Sequence, residues 1–122
     1  MENLINWVEI PAADFNRAVT FYRAILSIDI TEADMHGTMM GFFPSDGLAV
    51  SGAIVQGPGY QPSATGTVVY LNGGADLQPI LDRIVANGGT IRIPKTLISP
   101  EMGYFSQFID TEGNLIAIHS IG

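Results

Sequence analysis

Two residues near opposite ends of the chain carry the chemistry most worth following, Glu9 and His119. Glu9 sits in the apolar run Leu4 to Ile10, and His119 closes the run Leu115-Ile116-Ala117-Ile118-His119. A carboxylate next to an imidazole is an acid–base pair in which each group favours the other's charged form. Each also has a plainer reading. Glu9 is otherwise a core carboxylate bonded to Tyr22 or to backbone, and His119 otherwise faces solvent or a partner subunit. His36, in Met35-His36-Gly37, reads as a solvated turn residue. Lys95 follows Pro94 in a chain with only five Lys and Arg, and either pins an anionic group or stays on the surface. Tyr60 and Tyr104 lie on or beside loops, to gate a pocket or simply to pack. Met39, Met40, Phe42 and Phe43 read as core or pocket wall, because Met and Phe fill irregular apolar space. Arg17 suits a structural ion pair. Gly57-Pro58-Gly59 is not a phosphate loop, since no strand–loop–helix context follows it. The chain has no cysteine, which removes disulfides, thiol nucleophiles and thiolate metal sites.

The elements that must position these residues are short. Leu4–Ile10 reads as a strand broken by Pro11-Ala12-Ala13. Asp14 is a good N-cap for a helix whose stripe is Ala18, Phe21, Tyr22 and Ile25. Strands follow at Ile28–Ala33, Thr38–Phe43 and Leu48–Val55. Gln56 to Ala64, with its glycines and prolines around Tyr60, reads as a linker. Thr67–Leu71 is an apolar strand. Asp76 then caps a second helix with the stripe Leu77, Ile80, Leu81, Ile84 and Val85, and Pro79 fits its first turn. Asn87-Gly88-Gly89 stops it. Thr90–Ile93, Tyr104–Ile109 and Leu115–Ser120 are the remaining strands.

Both halves therefore read strand, helix, strand, strand, strand. Ala13-Asp14-Phe15 matches Ala75-Asp76-Leu77, and Pro44-Ser45-Asp46-Gly47 is a fainter copy of the turn Asp110-Thr111-Glu112-Gly113-Asn114. A duplicated βαβββ unit is the expectation, with its function at the seam. One domain is expected over residues 1–122, with module 1 about 1–57, linker about 58–64 and module 2 about 65–122.

Hydrophobic residues make up 47% of the 122 and charged residues 14%, the balance of an ordered globular chain. No apolar run approaches the roughly 18 residues that mark a membrane span. Met1-Glu2-Asn3-Leu4 carries no basic stretch, so no signal peptide is expected and the cytoplasm is the default location. A net charge of −7 gives no footprint for nucleic acid or anionic membrane.

The stretch Trp7-Val8-Glu9-Ile10-Pro11-Ala12-Ala13-Asp14-Phe15, with Arg17-Ala18 and Phe21-Tyr22 behind it, resembles the opening of the vicinal oxygen chelate superfamily. Phe108-Ile109-Asp110-Thr111-Glu112-Gly113-Asn114 resembles its closing turn. That superfamily contains glyoxalase I, bleomycin-resistance proteins, extradiol dioxygenases and fosfomycin-resistance enzymes. Val50-Ser51-Gly52-Ala53, Gly59-Tyr60-Gln61-Pro62-Ser63 and Pro94-Lys95 are most similar to its small lactoylglutathione-lyase-like proteins. The resemblance implies an α+β fold of two tandem βαβββ modules whose mixed sheet curls around a central cup. It also implies a homodimer, sometimes with exchanged modules.

Metalloenzymes of the family place metal ligands on the first and last strands of each module. Those positions fall here on Trp7, Ser51, Thr67 and Ala117, none of them a good ligand for Zn, Ni or Fe. No metal and no other cofactor is therefore expected. Two residues further along the same strand faces stand Glu9 and His119, which become the candidate acid–base pair inside the cup. Trp7, Met39, Ser51, Tyr60, Thr67, Lys95 and Tyr104 are the expected ligand-binding residues. The leading expectation is a glyoxalase-like small-molecule enzyme or its metal-free descendant, acting on a small oxygenated substrate. The alternative is a non-catalytic binding protein resembling bleomycin-resistance proteins, for which the net negative charge would suit a cationic ligand.

Overall fold

Helix α1 (Phe15–Leu26) starts where the sequence provides a cap: the Asp14 side chain accepts the backbone N–H of Arg17 at 3.1 Å. Its apolar stripe is buried, and Ser27 ends it in the left-handed region at φ 53°. The second helix, α2 (Gln78–Ala86), carries Pro79 in its first turn and stops at Asn87, whose N–H returns to the carbonyls of Arg83 and Ile84. Leu77, not Asp76, holds the N-cap position, although the Asp76 carboxylate still accepts the N–H of Gln78 at 3.0 Å. The computed structural model describes residues 3–47 and 49–122.

The described residues form eight strands: β1 (Trp7–Pro11), β2 (Thr31–Met35), β3 (Thr38–Phe42), β4 (Ser51–Gln56), β5 (Val69–Asn72), β6 (Thr90–Ser99), β7 (Gly103–Ile109) and β8 (Leu115–Ser120). They form two four-stranded mixed sheets, ordered β1-β4-β3-β2 and β5-β8-β7-β6. In each, the first and last strands of the unit pair in parallel and the remaining pairs are antiparallel. The same topology occurs twice, as the two-copy reading anticipates. The result is an α+β fold of two tandem βαβββ modules, and the sheets do not close into a barrel. Its core is common to both halves: Phe21, Tyr22 and Ile25 of α1, Ile84 of α2, and Ile10, Phe108 and Ile118 of the sheets all lie at 2% exposure or less. Burying each such side chain contributes roughly 1.5–3 kcal/mol.

Several strand boundaries differ from the sequence expectation, each for a local reason. β1 begins at Trp7 and not Leu4, since Leu4 and Ile5 are 84% and 58% exposed. β2 begins after Ile30, whose N–H is taken by the Asp29 side chain rather than by a ladder. β4 begins at Ser51; Leu48 lies outside the described residues, as do Met1 and Glu2. β5 begins at Val69 because Gly66, at φ +99°, turns the chain just before it. β6 runs through Pro94 to Ser99, where Ile93 had been the expected end. A proline is tolerated there because β6 is an edge strand with register shifts on both sides of that residue.

The two modules are joined by the closing turn of the second. Buried Tyr22 donates to Asp110 Oδ2 at 2.7 Å. The Asn114 amide donates to the Pro11 carbonyl at 2.7 Å and its oxygen accepts from Ser63 N–H. Glu112 accepts from the N–H groups of Ala13 and Asp14 and from Arg17. Three segments far apart in sequence, residues 11–22, Ser63 and residues 110–114, thus meet near the N-terminus of α1.

Candidate ligand-binding cleft

β1 and β5 are both edge strands, and residues of both line one cleft. The cleft at this seam holds about 450 Å³, within the range of small-molecule sites. Trp7, Glu9 and Pro11 form one wall, and Thr67, Val69 and Ile116 form the other. Residues paired across a sheet share a face. Glu9 pairs with Ala53, and Ala53 with Phe42, so these three face the same way as Trp7. Val8 and Ile10 alternate to the opposite face and pack against the helices.

Glu9 is exposed and held at both oxygens. Tyr60 OH donates to Oε1 at 2.9 Å, and Trp7 Nε1 donates to Oε2 at 3.4 Å. This hydrogen bond and the Glu9 charge raise the Tyr60 phenol above its usual range. The Trp7 ring is 44% exposed and leans on Phe42, with centroids 6.2 Å apart and planes tilted by 50°. Tyr60 therefore joins the site by reaching Glu9 from the linker. Tyr22, the alternative partner for Glu9, bonds Asp110 instead.

His119 stands elsewhere. It pairs with Asn72 and Phe105 on β8 and lines a separate cavity with Tyr70, Ile98 and Met102. Its Nε2 lies 2.5 Å from the Met102 carbonyl. A carbonyl only accepts, so Nε2 carries the proton and serves to hold the β6–β7 turn. Glu9 lines the first cleft and His119 this second cavity.

The other expected ligand-binding residues divide. Thr67 lines the cleft, ahead of β5. Ser51 stands beside Trp7 in register, but its hydroxyl is directed at the Pro44 carbonyl at 3.2 Å. Met39 is on the helix side, against the core, because its neighbours in register are Asp34 and Gln56 and the Gln56 side chain caps Phe15 N–H. Lys95 binds Asp76 at 2.8 Å and lies 4.5 Å over the Tyr104 ring, which packs against the core. That bond and the Gln78 N–H hold the Asp76 carboxyl below its usual range. Gln61, Ser63 and Asn114 also line the cleft. No property of their types in the sequence marks them for it, since their place follows from how the linker crosses the closing turn.

The four positions where family metalloenzymes carry ligands offer an indole, two hydroxyls and the methyl of buried Ala117. No three His, Asp or Glu gather at any point among the described residues. This donor set does not fit a catalytic metal, which takes three protein ligands. Also among the described residues, no helix is long and apolar enough to cross a membrane.

A family model for the glyoxalase/bleomycin resistance protein/dioxygenase superfamily matches residues 4–118. The chain belongs to that superfamily. No curated protein sequence matches it. Among solved structures, a superfamily domain from Frankia sp. EAN1pec superposes with a TM-score of 0.76 at 14% identity, over 98% of each chain. The genomically encoded fosfomycin resistance protein FosX of Listeria monocytogenes gives 0.68 at 18% identity, over 98% of this chain and 91% of that one. Glyoxalase I from Zea mays gives 0.72 at 12% identity, covering 95% of this chain and 44% of the maize chain. At such identities these neighbours establish the superfamily fold, and the chemistry rests on the cleft itself.

Proposed function

We propose that the chain binds a small organic molecule in the seam between β1 and β5, without a metal. Trp7 is the platform and Glu9 the polar anchor. One observation carries this reading: an ionisable side chain stands exposed in a largely apolar cleft, beside a half-exposed indole, with only neutral groups bonded to it. Superfamily membership supports a small-molecule role of this kind.

A catalytic version is favoured by the Tyr60 hydroxyl, 2.9 Å from Glu9. Glu9 would take a proton from the substrate, and the Tyr60 hydroxyl, released from the carboxylate as Glu9 becomes protonated, would turn to donate to the developing oxyanion. His119 has no part in it. A homodimer is also proposed, supported by apolar side chains of the second module left open to solvent: Tyr70 at 55%, Ile98 at 44% and Met102 at 60% exposure. A cytoplasmic location accords with the absence of cysteine.

Two measurements test the reading. In a fragment screen followed by amide and indole NMR shifts, binders should move the Trp7 indole N–H and Val69; shifts confined to the His119–Met102 cavity would overturn the site. After dialysis against Zn, Ni, Mn and Fe, the protein should retain no stoichiometric metal. Retention of one metal ion per chain would overturn the metal-free assignment.

A further inference from the structure

Glu9 is left without a compensating charge. Its two hydrogen bonds come from a phenol and an indole, both neutral. The chain has five Lys and Arg, and four are engaged elsewhere. Arg17 is bonded to Glu112, Arg23 to Glu32, Lys95 to Asp76, and Arg83 to the Ile25 carbonyl. Arg92 stands on β6, at the edge of the second sheet farthest from β5. No cation of the described chain reaches the Glu9 carboxylate.

The groups around that carboxylate are those that recognise a cation. Trp7 presents its ring beside Glu9 and leans on Phe42, giving a π-face that attracts positive charge within about 6 Å. Each Glu9 oxygen has one neutral donor and keeps further acceptor capacity, which N–H groups of an ammonium can use. Pro11, Val69, Leu115 and Ile116 give the cleft an apolar stretch, and its other polar side chains, Gln61, Ser63, Thr65, Thr67 and Asn114, are all neutral. The net charge of −7 adds a long-range field that draws cations and repels anions.

We infer that the cleft takes a protonated primary or secondary amine carried on an apolar body. The ammonium sits on Glu9 against the Trp7 ring, and the body lies along the seam between β1 and β5. This rests on the cleft reading above and names the class of its ligand. A carboxylate-bearing or phosphorylated ligand would meet Glu9 with like charge and is disfavoured.

Trp7 is the one tryptophan of the chain, so its emission reports on the cleft directly. The probes are 2-phenylethylammonium, its neutral isostere 2-phenylethanol, and 3-phenylpropionate, each titrated at low salt into the wild type and Glu9→Gln. Far-UV circular dichroism checks that the variant is folded. The ammonium should shift Trp7 emission saturably, bind about tenfold or more tightly than the alcohol, and lose about that factor in Glu9→Gln. Binding of the alcohol should be little changed by the substitution, and the carboxylate should bind weakest. Equal binding of ammonium and alcohol, or an ammonium affinity indifferent to Glu9→Gln, would overturn the amine inference and leave the cleft reading standing. Silence of Trp7 towards all three probes would overturn both.

Discussion

Glu112 and Arg17, 95 residues apart in sequence, form a two-pronged ion pair: Nε lies 2.7 Å from Oε2, and Nη2 lies 3.1 Å from Oε1. The same carboxylate accepts from the N–H groups of Ala13 and Asp14, at 2.9 and 2.6 Å. One side chain of the second module thus satisfies backbone donors at the start of the first module's helix, where a negative charge also meets the positive end of the helix dipole.

Replacing Glu112 by Ala should destabilise the fold by about 1–3 kcal/mol, read as a lower urea midpoint at pH 7. The effect should depend on pH. Burial alone would raise the Glu112 carboxyl, but the bonds from Arg17, Asp14 N–H and Thr111 outweigh it and hold it below its usual range. Its contribution is therefore complete above the unfolded-state value of about 4.3 and fades as pH falls through the depressed folded-state value. Urea midpoints of the wild type and Glu112→Gln should draw together as pH falls below about 4.3 and meet once it is below the depressed folded-state value. A gap that stays constant down to pH 2.5 would contradict this.

Tyr22→Phe removes the donor to buried Asp110 without changing the shape of the ring. The carboxylate keeps its bonds from Glu112 N–H, Asn114 N–H and the Asn114 amide, but loses the one that joins it to α1. The expected cost is about 1–3 kcal/mol in denaturant unfolding. Desolvation and the neighbouring Asp110 charge push the Tyr22 phenol well above its usual range. The neutral phenol thus contributes stability that is present below about pH 10 and lost as pH rises through the folded-state value.

Tyr60 offers a direct readout of the cleft. Its hydrogen bond to Glu9 and the Glu9 charge raise its pKa. In Glu9→Gln the phenolate absorbance of Tyr60, isolated by difference from Tyr60→Phe, should appear at lower pH than in the wild type. Identical titrations would mean that the two side chains are not bonded in solution.

Gly52 has no room for a side chain: a Cβ there would meet the Val8 carbonyl of the neighbouring strand. Gly52→Ala should push β1 away from β4 and cost about 1–3 kcal/mol. Because Trp7 and Glu9 ride on β1, the change should also shift Trp7 emission in the folded protein. Unaltered emission and stability would show that β1 can move freely.

His119→Ala should act on the hairpin and not on the cleft. Loss of the bond to the Met102 carbonyl should speed amide exchange around Gly103, while Trp7 emission stays the same. A change at Trp7 would reconnect His119 with Glu9.

Periodicity made the architecture legible: the stripes Ala18-Phe21-Tyr22-Ile25 and Leu77-Ile80-Leu81-Ile84, each preceded by an Asp, mark two helices in matched places. The cleft was legible in part. The strand position of Glu9, and its facing the same way as Trp7, follow from the period of two. That Tyr60 would reach Glu9 from a linker does not, because loop paths depend on distant contacts such as Asn114 with Ser63. Met39 illustrates the limit. In a strand one residue decides the face, and Met40, which pairs with Val55, takes the side expected of its neighbour. His119 had the right chemistry for an acid–base partner, but its place in the second sheet gave it a backbone carbonyl to hold.

The brace at Glu112 has a consequence for synthesis. Ala13, Asp14 and Arg17 leave the ribosome 95 or more residues before the carboxylate that satisfies them. At about 5–20 residues per second, the first helix waits on the order of 5–20 s with its opening turn uncapped by Glu112. Until the second half arrives, the start of the helix has only the caps of its own module, Asp14 on the Arg17 N–H and Gln56 on the Phe15 N–H, to hold it.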